Sequence, residues 1–133
     1  MSVPRRIRAL LDLAESDVDA ADALAASGNR YGAYHCQQAV EKLVKAVLLE
    51  RGIEAGLEHR LDVLIHKLRD DDGWKSVLRP WDRLTPYATT FRYPTPGGRI
   101  PAAPDPGVVA TDARAIRALI TKARAELMGA PDS

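Results

Sequence analysis

Tyr34-His35-Cys36-Gln37-Gln38-Ala39-Val40-Glu41-Lys42-Leu43-Val44-Lys45-Ala46-Val47-Leu48-Leu49 is the stretch that decides the fold. Placed at helical period, Ala33, Cys36, Val40, Leu43, Val44 and Val47 fall on one apolar face, which marks a helix packed on a core. The opposite face holds Tyr31, Tyr34, Gln38, Glu41, Lys42, Lys45 and Leu49, with His35 at its border. Plain solvation does not require that mixture of aromatic, amide and cationic groups. A second buried surface or a polar ligand would use it.

Outward from this segment, every long periodic stretch reads as helix. A first helix is expected from about Pro4 to Ala26, capped by Ser2, with Ile7, Leu10, Leu11, Ala14, Val18, Ala21 and Leu24 as its stripe and Gly28 closing it. Asn29 can cap the second helix, Arg30 to about Arg51, which Gly52 ends. A short third helix covers about Arg60 to Arg69, and Asp70-Asp71-Asp72-Gly73 stops it. The fourth helical region, Trp74 to Phe91, is broken, because Pro80 and Pro86 each lack a backbone donor. Thr85 before Pro86 reads as a fresh cap. Pro94 to Gly107, with five prolines and three glycines, reads as a loop of little weight in stability. A last helix follows from about Asp112 to Met128, with Ala113, Ile116, Leu119, Ile120 and Leu127 inward. No stretch shows sustained strand alternation. The expectation is an all-α, up-and-down bundle of about five helices, its fourth broken by prolines, in one domain over residues 1–133.

Composition narrows the functions. The 133 residues suffice for one domain with a real core, and at 46% apolar the chain should fold. With 19 basic and 18 acidic side chains the net charge is +1, so no whole-protein field captures RNA, DNA or an anionic membrane. Any nucleic-acid contact must come from a local patch. The lone cysteine, Cys36, lies on an apolar face and reads as a small hydrophobe in a reducing cytoplasm. No apolar run has the length of a membrane span, and Ala9 to Leu13, interrupted by Asp12, is too short for a signal-peptide core.

The pattern Tyr31-x-Ala33-Tyr34-His35-x-Gln37-Gln38-Ala39-x-Glu41-Lys42-x-x-Lys45-Ala46 resembles the second-helix signature of HEPN domains (higher eukaryotes and prokaryotes nucleotide-binding). His59-Arg60-Leu61 is similar to the family's His-x-Leu at the third helix. Leu84 to Pro94, ending Arg92-Tyr93-Pro94, resembles its Tyr-x-x-x-x-Arg-Tyr-Pro stretch, and the Ala-rich final helix sits where the family has one. The resemblance implies a small helical bundle, often dimeric, often encoded beside a minimal nucleotidyltransferase in a toxin–antitoxin-like pair, and linked to nucleotide binding or RNA cleavage. The family's ribonuclease branches carry Arg, four to six residues, then His, at the start of a later helix. Here that spacing occurs at Arg30 and His35, in the second helix, and no histidine follows His66.

Each candidate has two readings. His35 serves as a general base, with Arg30 or Arg92 steadying charge on a phosphate, or simply bonds a neighbouring carboxylate or carbonyl. Gln38, Lys42 and Lys45 hold a phosphate, or Lys45 pairs with Glu41 four residues earlier. Arg92 grips phosphate, with Tyr93 stacking a base, or it pairs with a carboxylate such as Glu41. His59 caps or packs the entry to its helix. His59 and His66 fall short of a metal site, and no cofactor is implied. Three functions follow: a nucleotide- or RNA-associated accessory domain, a metal-independent endoribonuclease toxin, or a purely structural dimerisation module. Tyr31, Tyr34 and Leu49 would leave an apolar stripe exposed on a monomer. A homodimer is therefore predicted, and sedimentation at micromolar concentration should show a species heavier than the 14.5 kDa chain.

Overall fold

A computed structural model describes residues 2–128. Five α-helices follow one another: α1 (Val3–Ala26), α2 (Tyr31–Glu50), α3 (Leu61–His66), α4 (Gly73–Leu78) and α5 (Pro106–Leu127), with a 3-10 segment at Arg79–Ala88 directly after α4. The hydroxyl of Ser2 accepts from the Arg5 N–H at 3.3 Å and Pro4 sits in the first turn, so α1 starts where the sequence places it. Gly28, at φ +72°, ends it, and the Asn29 side chain accepts from the Tyr31 N–H at 2.9 Å to open α2. So short a link turns α2 back antiparallel to α1.

α2 is the centre of the bundle. It touches α1, α3, α5 and the 3-10 segment, and its apolar face (Ala33, Cys36, Val40, Leu43, Val44, Val47) is wholly buried. Alanines 14, 21 and 25 of α1 let the two axes approach closely. Ile116, Ile120 and Ala123 of α5 close the core, whereas Leu119 is only partly buried. Burial, then the nearby carboxylates of Asp112 and Asp22, push the Cys36 thiol up to about 12 against the opposing charge of Arg83, so it stays protonated and packs as a hydrophobe.

The break expected in the fourth region is present, and two other expectations are corrected. The broken fourth region resolves into α4 and the 3-10 run, with Pro80 in the first turn of that run and Pro86 inside it. Thr85 caps no new helix; its Oγ1 is buried with no hydrogen-bond partner among the described residues. α5 begins at Pro106, six residues before the expected Asp112, because Asp105 accepts from the Gly107 N–H at 2.7 Å and Pro106 supplies a first-turn φ. Pro-Gly is a breaker inside a helix but is tolerated at a capped start. Asp112 is thus already inside α5, where it is buried and takes a two-pronged bond from Arg83 of the 3-10 segment at 2.6 and 3.1 Å. Among the described residues, no helix is long and apolar enough to cross a membrane.

Gly32 marks the tightest helix contact. A Cβ there would lie 3.2 Å from the Ala21 carbonyl oxygen, 3.2 Å from a Val109 methyl and 3.3 Å from the Ala25 nitrogen. Two of these are backbone atoms of α1 and cannot rotate away. Overpacking costs about 1–3 kcal/mol, against which the helix-propensity gain of alanine over glycine is only about 1 kcal/mol. Gly32→Ala should therefore lower the unfolding free energy in urea, by up to about 2 kcal/mol.

Candidate functional site

Two rows of polar side chains run along the face of α2 that lies away from its apolar stripe, each with a seven-residue step. His35 and Lys42 form the row beside α1. The imidazole Nδ1 of His35 is 2.9 Å from one oxygen of Asp17, and the ammonium of Lys42 donates to the other at 2.5 Å. Asp17 projects from the flank of α1, next to the buried Val18. Tyr34 and Glu41 form the second row, on the side of α3 and the 3-10 segment.

Glu41 is nearly buried, at 5% exposure, and accepts three hydrogen bonds. They come from Gln37 at 3.3 Å, from Lys45 at 3.0 Å and from His59 Nδ1 at 2.9 Å. Gln37 is fully buried, and its own carbonyl accepts from the Gln38 amide at 2.6 Å. The chain Gln38–Gln37–Glu41–His59 therefore ties the middle of α2 to the entry of α3. His59 neither caps nor packs that entry as expected: its side chain is largely exposed and held through Glu41 alone.

At the start of α2 lies a cationic and aromatic corner. The guanidinium of Arg92 sits 4.3 Å from the centre of the Tyr34 ring and 5.5 Å from that of Tyr93, and donates to the Ala88 carbonyl at 3.0 Å. Arg30 reaches across to the Phe91 and Pro101 carbonyls at 3.1 and 2.8 Å, fastening the proline-rich loop to α2. Arg30, Tyr31, Arg92 and Tyr93 line a shallow cavity of about 200 Å³, closed by Phe91 and Pro101. Among the described residues neither arginine touches a carboxylate, whereas Lys42 and Lys45 are both neutralised.

The site residues expected from sequence thus separate into groups. Arg30, Tyr31, Arg92 and Tyr93 come together, with Tyr34 beneath Arg92. Gln38, Lys42 and Lys45 follow along α2, while Leu49 lies two turns beyond Lys42 and packs partly on the core. His35 turns to Asp17 and Arg30 to two carbonyls, so these two candidates take different partners. The suggested pair of Arg92 with Glu41 does not form, because Glu41 is saturated by three other donors. Asp17 and Gln37 were missed as site residues. Asp17 gave no signal beyond an acid beside a core valine, and Gln37 stood in the family pattern as one of a pair.

Burial works to raise the Glu41 carboxyl, but the hydrogen bonds from His59, Lys45 and Gln37 outweigh it and hold the group below its usual 4.5. A carboxylate depressed in the folded state adds stability that is full above its unfolded value and is lost as pH falls through the folded one. Thermal melts should therefore fall off below about pH 4.5, and less steeply in Glu41→Gln. At neutral pH that variant should lose roughly 1–3 kcal/mol, because its donors lose a charged acceptor.

No curated protein and no solved structure matches this chain. The family model of the HEPN domain matches residues 7–126. That span takes in the α2 rows, the His59–Glu41 tie, the Arg92–Tyr93 corner and nearly all of α5. With its helical bundle and its signature residues in order, the chain belongs to the HEPN family.

Proposed function

We propose that this protein is a nucleotide- or RNA-binding accessory domain, working as a homodimer beside a minimal nucleotidyltransferase in a toxin–antitoxin-like pair. Membership in the HEPN family supports the nucleotide-related class. The partner and the pairing rest on the family resemblance alone. The observation that carries the binding reading is the corner where Arg92 lies against Tyr34 and Tyr93, with Arg30 beside it and, among the described residues, no carboxylate on either cation. Two uncompensated guanidiniums attract phosphate, and the largely exposed Tyr93 ring offers a stacking face for a base. Tyr31, 42% exposed beside this corner, extends the aromatic surface toward a second copy.

Binding is favoured over cleavage by the partners of the would-be catalytic pair. Arg30 turns to the Phe91 and Pro101 carbonyls while His35 is held by Asp17 on the α1 side of α2, so the two have no partner in common. Lys42 and Lys45, each paired with an acid, extend the polar face but add little net charge to it.

ATP and a short single-stranded RNA, titrated by fluorescence anisotropy or calorimetry, test this reading. Affinity should fall as salt rises, since it comes from a local cationic patch on a nearly neutral protein. Arg92→Ala should weaken binding at least about tenfold, and Lys42→Ala much less, because Asp17 already neutralises Lys42. Arg92→Ala should leave the melting temperature nearly unchanged, because the one side-chain hydrogen bond it makes among the described residues, to the Ala88 carbonyl, is local. A large thermal loss with unaltered affinity would make Arg92 a structural residue and sink the reading.

A further inference from the structure

The cavity between Arg30 and Arg92 is too small for a whole nucleotide. At about 200 Å³ it falls below the roughly 300–1,000 Å³ of pockets that enclose an entire ligand. One moiety enters and the rest stays outside. Six of its eight lining residues are Tyr31, Phe91, Tyr93, Pro94, Ile100 and Pro101. A phosphate is strongly hydrated and gains nothing from such walls, whereas the flat face of a base does. Tyr93 and Ile100, 60% and 75% exposed, offer that face further apolar surface. Of a bound nucleotide, the base is therefore the moiety these walls suit, which leaves the phosphate to the donors of Arg92.

The polar groups of the lining discriminate among bases. Its side chains include no carboxylate and no amide, so none is an obligate acceptor. The guanidiniums only donate, and the phenols of Tyr31 and Tyr93 both donate and accept, which serves every base alike. Arg30 is the better fixed of the two cations. It donates to the Phe91 carbonyl at 3.1 Å and to the Pro101 carbonyl at 2.8 Å, both on residues of the lining. Those bonds hold the planar fork in place and leave its other N–H donors free. They also engage two carbonyls that would otherwise receive an amino group. Arg92 makes a single such bond, to Ala88, and is freer to follow a phosphate.

Guanine presents two acceptors, N7 and O6, on one edge, and uracil, like thymine, presents O4; adenine and cytosine carry an amino donor at the corresponding position. Against a guanidinium that amino group sets N–H toward N–H. We propose that Arg30 reads the edge of the base at this corner and selects the keto bases, guanine and uracil, over the amino bases, adenine and cytosine. The inference rests on the nucleotide reading above and deepens it: Arg92 and Tyr93 serve any nucleotide, and Arg30 sets which.

Calorimetric titration of the full chain with GMP, IMP, AMP, UMP and CMP tests it. IMP carries O6 where AMP carries an amino group, and it lacks the amino group of GMP, so it isolates the keto oxygen. GMP and IMP should each bind at least about fivefold more tightly than AMP, and UMP should exceed CMP by a similar factor. Arg30→Lys keeps the charge but loses the fork, and should bring GMP and AMP to within about twofold of each other. Tyr93→Ala, at a largely exposed ring, should weaken all five ligands and leave the ratio of GMP to AMP as it is. The wild-type series decides the selection even if Arg30→Lys folds poorly. Equal affinity for GMP, IMP and AMP, all lost in Arg92→Ala, would overturn the selection and leave the nucleotide reading standing. Preference for GMP without preference for IMP would place recognition at the amino group of guanine and overturn it as well. Full preference in a folded Arg30→Lys would remove Arg30 from the role. Failure of all five ligands to bind would overturn the nucleotide reading and this inference together.

Discussion

Burying the carboxylate of Glu41 in the middle of α2 is the constraint around which the polar half of this molecule is arranged. An ionised group at that depth is unfavourable unless its lone pairs are filled. Gln37 fills one from the preceding turn, Lys45 another from the following turn, and His59 a third from the residue pair that opens α3. One buried acid thus holds α3 against α2 across 18 residues of sequence. It also fixes the fully buried Gln37, which in turn orients Gln38 on the surface. Because α2 also packs on α1, α5 and the 3-10 segment, its orientation sets where every neighbouring element presents its side chains.

Charge compensation then divides the surface into regions of different chemistry. Lys42, Arg83 and Arg124 each face an acid on another element and join the two, while Lys45 faces Glu41 within α2. Arg30 and Arg92 face carbonyls and aromatic rings instead, which leaves their charge available beside Tyr93. A corner of guanidinium and tyrosine suits a phosphate with a base. A protein whose net charge is only +1 can therefore still carry a local cationic corner at the start of α2.

Much of the architecture was legible before any coordinates. The 3.6-residue period in residues 33–47 named the central stripe of α2, Ala33, Cys36, Val40, Leu43, Val44 and Val47, but Gln37, Ala39, Glu41, Ala46 and Leu48 are buried as well, because α2 is packed against several elements. Ser2, Gly28, Asn29 and Gly52 bounded the first two helices for local reasons of capping and left-handed φ, which depend on nearest neighbours alone. The prolines announced the break in the fourth region for the same reason. Local chemistry misled where it has two outcomes: Pro106-Gly107 reads as loop, yet with Asp105 accepting from Gly107 it begins α5. Thr85-Pro86 reads as a cap, yet the chain continues as 3-10 helix through it.

Tertiary structure alone decided the partners. Nothing in the α2 segment says that His35 and Lys42 share Asp17 of α1, or that Glu41 takes His59 and so denies itself to Arg92. Nor does residue order show that Arg30 clasps carbonyls 61 and 71 residues further along while Arg92 rests on Tyr34. The physical reason is one of range. Helix period and caps are settled by residues within about one turn, so the sequence by itself determined that the chain is helical and where its main apolar stripes lie, but not that the polar face of α2 would bury Glu41. Ion pairs and cation–ring contacts depend on how those helices dock, and docking follows from the summed shape of distant apolar faces, which no single stretch contains.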